Sequence, residues 1–144
     1  MIEGIFIIHE SGICLVSRSY NRKNKDKDLI GGFLLAVSCF ARKMIGEEIN
    51  EIKMEHTNII YNLKDSILLA VVLSGKRIAK RKLTNILNKI QNTFHLHYKE
   101  YLAQNIIEPE VFKAFGKVVD DILKSARVLT SSIEIETSIP LSTK

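Results

Sequence analysis

Ile5-Phe6-Ile7-Ile8, then His9-Glu10-Ser11-Gly12, then Ile13-Cys14-Leu15-Val16: two β-rich apolar runs flank a polar quartet that ends in glycine. Glycine tolerates positive φ, so Gly12 suits a short turn and the stretch reads as a β-hairpin. Strands are accordingly predicted over residues 2–9 and 13–20. Residues 21–27, Asn-Arg-Lys-Asn-Lys-Asp-Lys, read as a polar loop, with Asp28 as the N-cap of a helix. From Leu29 to Ile45 the spacing is helical, with Ile30, Phe33, Leu34, Val37, Ala41 and Met44 on one broad face. Gly46 is a good stop, since glycine accepts the left-handed position after a helix.

Three strand-like runs follow. Ile49, Ile52 and Met54 alternate imperfectly within the polar stretch 49–56, which predicts an edge strand. Thr57-Asn58 reads as a turn and residues 59–63 as the next strand. Ile67 to Leu73 is almost continuously apolar, as expected of a central strand covered on both faces. Residues 76–103 read as one long helix, because Leu83, Ile86, Leu87, Ile90, Phe94, His97 or Tyr98, and Tyr101 recur at spacings of three and four. Pro109 suits the first position of a last helix whose stripe is Phe112, Phe115, Val119 and Ile122. The folded unit is placed at residues 1–124. The tail 125–144 is richer in Ser and Thr, with a short strand at Ile133-Glu134-Ile135-Glu136 as the alternative to disorder.

The 144 residues fit one domain, and 46% apolar with 26% charged content fits a globular core with a soluble surface. No apolar run approaches the ~20 residues that span a bilayer. Glu3 and the missing basic n-region argue against a signal peptide. Cys14 and Cys39 lie in apolar segments without a CxxC pair, and read as reduced thiols of a cytoplasmic protein. The net charge of +5 permits an anionic partner without naming one. No basic-aromatic interleaving is present, so no nucleic-acid partner is expected.

No catalytic motif stands out. His95 and His97 are two apart on a helix and diverge, so no metal site is expected. Ser74-Gly75-Lys76-Arg77 lacks both the first glycine and the Ser/Thr of a phosphate-binding loop. No Ser-His-Asp or Cys-His set is assignable, so neither an enzyme nor a cofactor is expected. Basic clusters are the sharper signal. Arg22, Lys23, Lys25 and Lys27 crowd one loop; Lys76, Arg77, Lys80, Arg81 and Lys82 crowd the start of the long helix. Cations there oppose the helix dipole, so stability alone does not explain them. A solvated face and a docking site for an anionic membrane or partner are the two readings.

The order β-β-α-β-β-β-α-α over residues 2–124 resembles a longin domain, the profilin-like module of some SNAREs, coat and adaptor subunits, trafficking tethers and small-GTPase regulators. The resemblance is carried by the hairpin through Ser17-Arg18-Ser19-Tyr20, by Leu29-Ile30-Gly31-Gly32-Phe33-Leu34-Leu35-Ala36, and by Phe112, Phe115 and Val119. It extends in particular to stand-alone longin-like proteins of archaea. A SNARE would continue into a heptad-bearing helix beyond Lys144, so that role is not expected. The resemblance implies an α/β (α+β) fold: a five-stranded antiparallel sheet of order 2-1-5-4-3, one helix on one face and two on the other. It implies a non-enzymatic scaffold or regulatory subunit for a small GTPase or trafficking-like complex, cytoplasmic or membrane-peripheral. Pairing with itself or with another longin or roadblock chain is expected. Two glycines within a helix cost about 1 kcal/mol each relative to alanine. Close approach to the sheet is one explanation; a partner groove at Gly31, Gly32 and Phe33 is the other. In the longin order strands two and five end together, which would join the two basic clusters into one patch. The alternative role is a small-molecule sensor with a cavity lined by Phe33, Val37 and Leu69.

Overall fold

The computed structural model describes residues 1–20, 27–75 and 77–129. Strands β1 (Ile2–His9) and β2 (Cys14–Ser19) form the predicted hairpin. Gly12 turns it at φ 99°, with its N–H donating to His9 O at 2.8 Å. Helix α1 (Lys27–Phe40) passes directly into a π-helical turn, Ala41–Ile45, and stops at Gly46, φ 84°. Strands β3 (Glu51–Lys53), β4 (Thr57–Lys64) and β5 (Ile67–Ser74) form a meander. Helix α2 (Lys80–Ala103), the single turn α3 (Pro109–Phe112) and α4 (Phe115–Ala126) complete the described chain.

The sheet is antiparallel throughout, in the order β2-β1-β5-β4-β3. Period-two alternation sends β1 side chains to opposite faces. Ile5 and Ile7 join Leu69 and Val71 beneath α2 and α4, against Leu83, Leu87, Ile90, Phe94, Phe115 and Val119. Phe6 and Ile8 join Leu68, Ala70, Ile59 and Tyr61 on the other face, covered by α1 through Leu34. Ile67–Val71 of β5 are all buried, as a central strand with both faces covered requires.

Several boundaries differ from the expected ones. Thr57 and Asn58 belong to β4; the turn before them is closed by Met54 N–H to Thr57 O at 2.8 Å. The last helix is interrupted between Phe112 and Phe115. The packed chain also continues past residue 124, because α4 runs to Ala126 and Val128 is buried in the core. Residues 133–136, expected as a strand or disordered tail, lie outside the described residues.

The two glycines of α1 separate cleanly. A Cβ on Gly31 would meet Cys14 Cβ at 3.4 Å and Ile8 Cγ1 at 3.8 Å, so Gly31 is the close approach to the sheet. A Cβ on Gly32 would meet nothing within 4 Å. The packing explanation therefore does not extend to Gly32, which points outward. Gly32→Ala is expected to raise stability by about 1 kcal/mol through helix propensity alone, and Gly31→Leu to destabilise by about 1–3 kcal/mol through overpacking. Urea titration of both variants checks the pair; equal shifts would refute the assignment.

Candidate protein-interaction surface

Helix α1 is apolar nearly all the way round, and its sequence, Lys-Asp-Leu-Ile-Gly-Gly-Phe-Leu-Leu-Ala-Val-Ser-Cys-Phe, gives it more apolar faces than the sheet covers. Gly31, Leu34, Ser38 and Ala41 are buried toward the sheet. Phe33, Val37, Phe40 and Met44, spaced by four, three and four, share a second stripe that flanks this buried face, roughly a third of a turn round the helix. Phe33 and Met44, expected on the buried face, are 55% and 70% exposed, and Phe40 is 59% exposed. The physical reason is width: a 3.6-residue period allows two apolar stripes on one helix, and spacing alone does not say which meets the sheet.

The π-helical turn widens the end of this surface. Gly46 N–H reaches back five residues to Ala41 O at 2.9 Å, leaving both Met44 and Ile45 outside. Arg42 and Lys43 lie beside them, and Arg42 Nε donates to Glu48 Oε2 at 3.0 Å. Residues 46–50 lead into β3, whose described ladder is with β4 alone. Its outer edge is short and carries Glu51 and Lys53, as exposed edges commonly do.

Of the residues expected to form a groove, Gly31 is buried and Gly32 and Phe33 are exposed. The three therefore do not face one partner together; Phe33 belongs to the outer stripe. Leu69 lies under α2, on the far side of the sheet from α1. Phe33, Val37 and Leu69 thus do not line one cavity.

Arg22, Lys23, Lys25 and Lys76 lie outside the described residues. Strands β2 and β5 both run antiparallel to β1 and so leave the sheet at the same end. The first turns of α1 sit elsewhere. Gly31 rests on Cys14, Ile8 and the Gly12 carbonyl, at the hairpin end, whereas Arg77, Lys80, Arg81 and Lys82 follow β5 at the other end. Those four are exposed, and none has an ion-pair partner among the described residues.

One polar network was not foreseen. Arg18 Nε donates to Asp120 Oδ1 at 3.1 Å, its Nη2 donates to Oδ2, and the Tyr20 hydroxyl donates to Oδ1. Burial, then the hydrogen bond to Asp120, drives the Tyr20 phenol far above its usual range. Gly116 makes room: a Cβ there would stand 2.8 Å from Arg18 Cδ. The residues lie about a hundred positions apart, so only the tertiary fold reveals them. No described group of three His, Cys, Asp or Glu residues is placed to hold a metal.

A second network ties α2 to the β4–β5 turn. Gln91 Nε2 donates to Asn62 O at 2.9 Å and Ile67 O at 3.1 Å, and its Oε1 accepts from His95 Nε2 at 3.1 Å. Burial, then the nearby Lys64 charge, lowers the His95 pKa from 6.5. The unfolded chain therefore binds this proton more readily, and stability should fall as pH drops below about 6.5. His95→Gln is expected to flatten that limb, read as urea midpoints at pH 7.5 and 5. An unchanged slope would refute the coupling.

No protein-family model matches the chain, and no curated relative does. Solved structures do. The chain is similar to MglB of Myxococcus xanthus. The identity is 16%, the TM-score 0.49, and the match covers 64% of this chain and 85% of that one. A second structure, titled "MglB with tetrameric arrangement", matches at 14% identity and TM-score 0.45 over 85% of this chain and 80% of that one.

Proposed function

We propose that this chain is a non-enzymatic interaction module of the longin type, which pairs with a second copy of itself through the outer face of α1. In that form it serves a small GTPase as scaffold or regulatory subunit. The observation that carries the pairing is the stripe of exposed Phe33, Phe40 and Met44 with half-buried Val37 between them, extended by exposed Ile45. Phe33, Phe40, Met44 and Ile45, each more than half exposed along one helix and its closing turn, are unusual for a monomer's surface. A second copy is the occupant the charges favour. Arg42 and Glu48 pair within the chain beside the stripe, which leaves exposed Lys43 and Glu47 as one charge of each sign, and a two-fold axis can set each against its opposite. The GTPase role is supported by the strand and helix order through which the chain resembles longin regulators.

Sedimentation equilibrium of the full chain across a concentration series tests the pairing: a dimer is expected, and a monomer throughout would refute it. For the GTPase role, recovery of a small GTPase by tagged wild-type protein, and its loss with a stripe variant, is the expected result. Recovery of no GTPase would leave the dimer standing and remove the regulatory role.

A further inference from the structure

The folded chain gathers cations that the sequence keeps apart. Strand β5 ends at Ser74, which bonds the backbone of Met1 and pairs with Thr57. Beyond it come exposed Arg77, Lys80, Arg81 and Lys82 at the start of α2. Helix α4 returns to the same end: Val128 O accepts from Ile2 N–H at 3.4 Å, and Val128 packs in the core with Ile2. That places exposed Lys124 and Arg127, in the last turn of α4 and just after it, at the end from which α2 departs. Lys53, opposite Asn58 near the start of β4, is exposed at this end as well. Against these stand two exposed described acids, Glu55 and Asp121, and neither makes an ion pair with any of the seven.

We propose that this end of the sheet is a basic pole that docks the protein on an anionic lipid surface. The inference goes beyond the pairing through α1 and does not depend on it. Three features favour a bilayer. The cations come from three separate segments and have no ion-pair partner among the described residues, on long side chains that suit laterally mobile headgroups. They are spread over the end of the molecule, with no aromatic platform of the kind that reads nucleic acid. Their position at the start of α2 runs against the helix dipole, which a nearby anionic plane relieves. Lys124, by contrast, sits favourably at a helix C-terminus, so its presence alone needs no partner; its place in the pole comes from the tertiary return of α4.

The test is co-sedimentation of the full chain with vesicles of phosphatidylcholine alone and of phosphatidylcholine with about one-third phosphatidylserine. Wild-type protein is expected on the anionic vesicles only, with binding lost as salt shortens the Debye length. Each cation near such a surface contributes about fivefold in partitioning. Lys124→Ala with Arg127→Gly should therefore weaken binding about 25-fold. The fold should survive, because Arg127 holds φ 58° and glycine accepts that geometry. Arg77→Ala with Arg81→Ala should weaken it comparably. Lys99→Ala with Lys113→Ala removes the same charge from the far end of α2, and should leave binding nearly intact. Equal loss in that control, equal binding to neutral vesicles, or full binding by the Lys124 and Arg127 variant would each overturn the proposal. So would absence of vesicle binding alongside retention on an immobilised acidic protein.

Discussion

Arg18→Met is expected to lower the unfolding free energy by about 3–5 kcal/mol, the cost of leaving a buried charge without its partner. The Asp120 side chain is 5% exposed and takes both oxygens' partners from Arg18 and Tyr20. Removing the guanidinium leaves a carboxylate held in a dry site by one phenol. Arg18→Met together with Asp120→Leu removes both charges and is expected to recover most of the loss, since apolar replacements of buried pairs are often neutral. Gly116→Ala belongs to the same set. Its Cβ would displace the Arg18 stem, so the usual helix gain of about 1 kcal/mol should turn into a net loss. Urea unfolding of the two single variants and the double variant decides the matter. If the double variant is no more stable than Arg18→Met, the network is not what joins β2 to α4.

Phe40→Glu with Met44→Glu is expected to dissociate the dimer by about a thousandfold or more. Central apolar anchors of an interface typically contribute about 2 kcal/mol or more each, and a two-fold axis presents each residue twice. Glutamates facing each other across the axis add repulsion. The fold should tolerate the change, because both side chains are more than half exposed in the single chain. Sedimentation equilibrium reads the association, and a urea midpoint taken at a concentration where the wild-type protein is monomeric reads the fold. A variant that remains dimeric would remove α1 as the interface.

The sheet was legible because its signals are local. The Gly12 turn, the unbroken apolar run of β5 and the Gly46 stop each follow from a few adjacent residues. The faces of α1 were not. Leu34 and Phe33 are neighbours of similar hydropathy, yet one packs on the sheet and the other points outward; the choice was made by Gly31, whose missing side chain lets that one face approach Cys14. Thr57-Asn58 looked like a turn because Asn favours turns in isolation, but the ladder with β5 prevails over that preference. The Arg18–Asp120 pair and the approach of Lys124 and Arg127 to α2 depend on where α4 returns, and no short-range pattern encodes that return.

The placement of β1 also sets how this chain can assemble. β1 lies between β2, its immediate successor, and β5, whose residues Leu73 to Ile67 pair with Ile2 to His9 from across most of the chain's first half. A hairpin and a three-stranded meander can each form from near neighbours, but the seam that unites them closes a loop of roughly sixty residues. Closure of that size costs chain entropy before any contact across it compensates. On a ribosome, the hairpin emerges long before its central partner exists and must keep the free edge of β1, with Ile5 and Ile7, from finding another strand. The closing of that seam is therefore the expected slow step of folding, and the apolar density of β5 favours it once the strands meet.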